Sequence, residues 1–137
     1  MRLLRGWLLG LWIALPAAAQ PAAAPCDHDL RRSCEQAAAV SPGRRFHILE
    51  GDARGGGHRP GRGIPNKSEF PNGWSDDRII GMIEDVANDP NSIRRLEPDG
   101  RTVVTGRRQG VDIRVVIDRD GRSIVTGYPT NTLRNAR

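Results

Sequence analysis

From Gly51 to Gly73 the chain carries no hydrophobic period: GDARGGGHRPGRGIPNKSEFPNG is glycine, proline, asparagine and charge around a few isolated apolar residues. So long an irregular stretch is uncommon inside a compact domain, and it is usually there for function or is disordered. The core must therefore come from the segments on either side. At 137 residues there is material for one domain.

Order returns at Trp74. Ser75 is a good N-cap, Asp76 and Asp77 suit the positive end of a helix, and Ile79, Ile80, Ile83, Val86 and Ala87 recur at helical spacing. Asn88-Asp89-Pro90 ends this helix. After a turn at Glu97-Pro98-Asp99-Gly100, three strand signals follow: Thr102 to Thr105, the alternating Val111, Ile113, Val115 and Ile117, and Arg122 to Tyr128, stopped by Pro129. Asp118-Arg119-Asp120-Gly121 turns the last two. The expectation is a small α+β domain, a helical N-terminal part packed on an antiparallel sheet with a C-terminal three-stranded meander.

The N-terminal half is read less regularly. A small helical piece is expected to end near Val40, before Ser41-Pro42-Gly43, and Arg45 to Leu49 reads as a short strand or a helix turn. Residues 1–19 combine Arg2 and Arg5, an apolar run from Trp7 to Leu15, and Pro16 before Ala17-Ala18-Ala19, the pattern of a secretory signal peptide. The apolar run is shorter than the roughly 20 residues a bilayer span needs. The expected product is exported, periplasmic or secreted, with no membrane association after cleavage. Residues 20–43 form a short leader and helical segment.

Export bears on Cys26 and Cys34, since an even cysteine count in an oxidising setting favours a disulfide. Along one continuous helix the two would lie about 12 Å apart, beyond disulfide reach, so the bond needs a break between them. Ser33 with Gln36 offers one, as a capping box that starts a helix at Cys34. Free thiols or an intermolecular link remain the alternatives.

Charge permits a polyanionic partner without requiring one: the formal value of +5 falls to +3 once Arg2 and Arg5 are removed. Twenty arginines accompany a single lysine, Lys67, a ratio that a GC-rich genome explains. Two of the three histidines, His47 and His58, bracket Gly55-Gly56-Gly57. Two imidazoles can divide general-base and general-acid duty near neutral pH. The glycines would let the chain fold back, bring the rings together and present N–H groups to an anion. The pair could instead join Asp52 on zinc, although no third strong ligand stands at a familiar spacing, or be two surface histidines of a loop. Thr126 and Tyr128, two apart on a strand, share one face and could hold a phosphate and a ring, or be ordinary strand residues.

Four blocks of sequence now stand in order: His47-Ile48-Leu49-Glu50-Gly51-Asp52, Gly56-Gly57-His58-Arg59, Phe70-Pro71 with Trp74-Ser75-Asp76, and Ile124-Val125-Thr126-Gly127-Tyr128-Pro129. Together they resemble the bacterial EndoU ribonucleases, toxin domains found at the C-termini of polymorphic toxins. The resemblance implies an EndoU, RNase A-like domain over residues 44–137. It implies RNA cleavage by His47 and His58, independent of or only weakly sensitive to metal and with no cofactor, with Thr126 and Tyr128 orienting the nucleotide. Lys67 or Arg59 would supply positive charge, and Gly56 and Gly57 backbone contacts. The products would be 2′,3′-cyclic phosphate and 5′-OH ends. Sequence does not say which histidine is the base; His47 is the expectation. An antibacterial toxin would act in the cytoplasm of a target cell and be neutralised by a cognate immunity protein, the nuclease itself being a monomer. A non-catalytic RNA- or protein-binding module and a secreted scavenging ribonuclease are the alternatives.

Overall fold

The computed structural model describes residues 37–137. The signal-like segment and both cysteines lie outside the described residues.

Helix α1 (Pro42–Glu50) begins where the sequence reading placed a break. The Ser41 hydroxyl accepts the Arg44 N–H at 3.3 Å. Pro42 occupies the first helical position, where its missing N–H would have found no partner anyway. The same Ser-Pro pair that looked like a stop is a start. Upstream, the helical piece expected to end at Val40 is not helical over residues 37–40. Ala39 pairs with Ser123 in a parallel bridge, and the Ile124 N–H donates to the Ala39 carbonyl at 3.0 Å. Helix α2 (Asp76–Asn88) secures this strip, with Asn88 bonding Ala38 through both backbone groups and Glu84 accepting the Val40 N–H at 2.9 Å.

Helix α2 follows the sequence reading, with Ser75 as its cap and Ile79, Ile80, Ile83, Val86 and Ala87 on its buried face. The sheet has four strands rather than three: β1 (Ile93–Leu96), β2 (Thr102–Arg108), β3 (Val111–Ile117) and β4 (Ile124–Pro129), paired antiparallel in that order. β1 escapes a periodicity search because all four of its residues are exposed, so Ile93-Arg94-Arg95-Leu96 shows no apolar alternation. Gln109 and Gly110, both at positive φ (50° and 82°), turn β2 into β3 as a two-residue hairpin loop whose twist suits the strands.

One face of the sheet is covered by α2, which packs on β2, β3 and β4. Val111, Ile113, Val115 and Ile117 point into this core. The helix sits close: a Cβ on Gly127 would lie 2.8 Å from Ile83, so β4 needs glycine at this crossing. With Gly127 facing α2, its neighbours Thr126 and Tyr128 must face the other side. Helix α1 packs against β4 as well, and brings its last turn to that strand.

Candidate active site

His47 stands in the last turn of α1, where unpaired carbonyls concentrate negative potential. The glycine loop closes that end. The Gly57 N–H donates to the His47 and Ile48 carbonyls (both 3.1 Å), His58 N–H to the Ile48 carbonyl (2.8 Å), and Arg59 N–H to the Leu49 carbonyl (3.2 Å). Three successive residues thus cap the helix that carries His47, and this seats His58 beside it. The return is tight enough to require positive φ at Gly55, Gly56 and Gly57. At Gly56 a Cβ would fall 1.9 Å from the His47 carbonyl oxygen.

Both imidazoles are buried, His47 at 7% and His58 at 6% exposure, yet both line one open cleft of about 310 Å³. Lys67, Gly56, Thr126 and Tyr128 line it too. His58 Nδ1 lies 2.7 Å from the Ser68 carbonyl oxygen. A carbonyl only accepts, so Nδ1 carries the proton and the neutral ring keeps its lone pair on Nε2. The Tyr128 ring stacks on His58, centroids 5.3 Å apart at 24°. Burial lowers the His58 pKa below its ordinary value, and Lys67 and His47 push the same way, against the Ser68 carbonyl and Glu69. His47 Nδ1 is 3.0 Å from an Asp52 carboxylate oxygen, close but out of line for a directed hydrogen bond. The Arg54 N–H, and then His47, hold the Asp52 carboxyl below the usual range. Among the described residues no group of three or more His, Cys, Asp or Glu side chains stands ready to hold a metal, so Asp52 completes no such cluster.

Two residues named from sequence lie elsewhere. Arg59 bridges the end of α1 to the start of α2, with Nη1 2.6 Å from Glu50 and Nε 2.8 Å from Asp76. Its charge is matched twice and it does not line the cleft; it acts as a strut. Gly57 likewise stays outside, its N–H committed to α1 and its Cα against Ile64.

Four cleft residues went unnoticed in the sequence: Arg54, Asn66, Ser68 and Arg134. Arg54 sits inside the glycine loop. Ser68 and Arg134 form an antiparallel bridge across 66 positions, which no local pattern announces. Asn135 secures that junction: it exchanges backbone bonds with Asn66 and Lys67, and its side-chain amide donates to the Ile64 carbonyl at 3.0 Å. Among the described residues Arg54, Lys67 and Arg134 have no carboxylate within ion-pair distance, and no acid lines the cleft. The wall is cationic.

A family model described as bacterial EndoU nuclease matches residues 63–131, half of the chain. The chain belongs to the bacterial EndoU nuclease family. The EndoU match includes Lys67, Thr126, Tyr128, α2 and the whole sheet, while His47 on α1 and His58 after the glycine loop precede it and line the same cleft. No curated protein and no solved structure matches. A buried pair of imidazoles, one with its tautomer fixed, in a cationic cleft beside a phenol ring is equipped to move protons around a phosphate in this EndoU nuclease.

Proposed function

We propose that the protein is an RNA endonuclease that cleaves by transesterification, with His58 as general base and His47 as general acid. The observation that carries this reading is the His58 Nδ1 contact with the Ser68 carbonyl, which leaves Nε2 as the free lone pair in a ring that burial keeps neutral. His58 Nε2 takes the proton from a ribose 2′-OH, and that oxygen attacks the adjacent phosphorus. The P–O5′ bond breaks, and the imidazolium of His47 gives its proton to the departing oxygen. Asp52, 3.0 Å from His47 Nδ1, favours the protonated ring by its charge. Lys67, with Arg54 and Arg134, faces the charge that develops on phosphorus, a contribution that is often the largest in such reactions. Tyr128 and Thr126 hold the nucleotide. The products are a 2′,3′-cyclic phosphate and a 5′-OH, and DNA, lacking the 2′-OH, is not cut. This assignment reverses the order expected from sequence, where His47 was the base. The EndoU, RNase A-like description of the fold belongs to the same proposal.

Purified mature protein is expected to cleave tRNA or total RNA in EDTA. Intact RNA with measurable binding would instead leave a non-catalytic module. The exported-toxin role rests on the pattern of residues 1–19 and on the family, with a cognate immunity protein as partner. Cytoplasmic expression of residues 20–137 should then arrest growth, and a harmless product would favour a scavenging ribonuclease.

The base also has a pH signature. With the His58 pKa below its ordinary value of 6.5, the ring stays neutral as pH falls through that value and protonates only lower. The acidic limb of kcat/KM should therefore have its midpoint below 6.5. A midpoint above it would argue against His58 as the base.

A further inference from the structure

The face of the sheet opposite α2 continues from the cleft. Register places Tyr128, Arg114, Thr105 and Ile93 in one row across β4, β3, β2 and β1. The row beside it is Thr126, Val116, Val103 and Arg95. The residues of each row point to one side, and Tyr128 and Thr126 already line the cleft, so both rows share its face. Between them runs an open groove of about 230 Å³, lined by Ile93, Arg95, Val103, Thr105 and Arg114. Among the described residues no helix packs on it, since α2 takes the other side and α1 the β4 end.

The chemistry of this strip is unusual for an open sheet face. Arg114 has no carboxylate partner among the described residues, and its Nε is buried without a hydrogen-bond acceptor. The acids are at the margins: Glu97 holds Arg95 at 2.7 Å and Asp112 holds Arg107 at 3.2 Å. Ile93 at the far edge is 74% exposed. A phenol, then an unpaired guanidinium, then a hydroxyl and an aliphatic surface form a path suited to a single strand of nucleic acid. The guanidinium meets phosphate, and the flat apolar floor meets bases or sugars.

We propose that this sheet face is an extended substrate track, along which the RNA strand leaves the cleft past Tyr128 and crosses β3 and β2, with Arg114 as its principal phosphate contact. The proposal rests on the RNA-cleaving reading for its occupant, and it makes Arg114 a length-specificity residue rather than part of the proton-transfer machinery.

The test compares a dinucleotide with a single-stranded RNA long enough to cross the sheet. In Arg114→Ala, kcat/KM on the long RNA should fall about tenfold, the scale of one lost charged hydrogen bond, while the dinucleotide stays within about twofold. Thr105→Glu supplies the control against misfolding. It sets a carboxylate directly opposite Arg114 in the ladder, a pairing that supports the sheet, yet it should give the same selective loss. Equal losses on both substrates, or none on the long RNA, would overturn the track. Affinity for the long RNA, measured by fluorescence anisotropy in a His58→Ala background, separates the two claims. If the wild type cuts no RNA but its binding weakens about tenfold with Arg114→Ala, the track stands and the catalytic reading falls.

Discussion

Replacing either His47 or His58 with alanine should lower kcat between about a hundredfold and ten-thousandfold. Both rings line the same cleft, and His58 is also part of its packed wall, bonded to the Ser68 carbonyl and stacked on Tyr128. His58→Ala also leaves the Ser68 carbonyl without that partner, a loss of about 1–3 kcal/mol, while the Ser68 hydroxyl stays tied to the Pro129 carbonyl at 2.7 Å, so activity is compared on protein shown to be folded. The two substitutions should not multiply. Once one proton cannot move, losing the other adds little, and the double variant should resemble the worse single one. Normal cleavage by either single variant would end the two-histidine mechanism.

Gly56→Ala should be as damaging to activity and more damaging to stability. Its φ of 76° lies in the left-handed region, and the added methyl would meet the His47 carbonyl carbon and oxygen at 2.8 and 1.9 Å. The conformation alone costs an alanine about 1–2 kcal/mol. Forcing an atom into packed backbone adds about 1–3 kcal/mol. The sum is roughly 2–5 kcal/mol, or a melting temperature lower by about 10 °C or more in a domain of this size. Gly61→Ala separates the two causes, because its φ is 78° but nothing lies within 4 Å of the added Cβ. It should show the smaller conformational penalty and keep its activity. If the two variants melt together, the helix-capping return at Gly56 is not what brings the histidines into one cleft.

These two outcomes show which parts of the site can be read from sequence. The histidines were legible because imidazoles flanking three glycines are chemically conspicuous. What the glycines do was legible only in part. They do fold the chain back, but the Gly57 N–H serves the α1 carbonyls rather than an anion. Helix α2 was legible throughout because its cap, its acidic first turn and its apolar period agree. Helix α1 was legible only in part: Arg45 to Leu49 read as a strand or a helix turn and are helical, but Ser-Pro opens a helix as readily as it closes one, and only the Arg44 N–H on Ser41 decides. β1 is an exposed edge strand without alternation. Arg59 looked like a cleft cation because it follows His58. Which carboxylates an arginine reaches is a tertiary matter, and Glu50 and Asp76 claim it. Arg134 reaches the cleft through its bridge to Ser68, for which spacing offers no cue.

The central claim is that a ribose 2′-oxygen, activated by His58 and opposed by His47, displaces the 5′-oxygen of RNA. Its most direct measurement is the chemistry of the cut ends, made by purified wild-type protein in EDTA on an RNA and on the same RNA with one 2′-deoxy residue at the cleavage site. The account predicts 2′,3′-cyclic phosphate and 5′-OH ends on the first and no cut at that position on the second. Ends carrying 5′-phosphate and 3′-OH, or cleavage that ignores the missing 2′-OH, would contradict it.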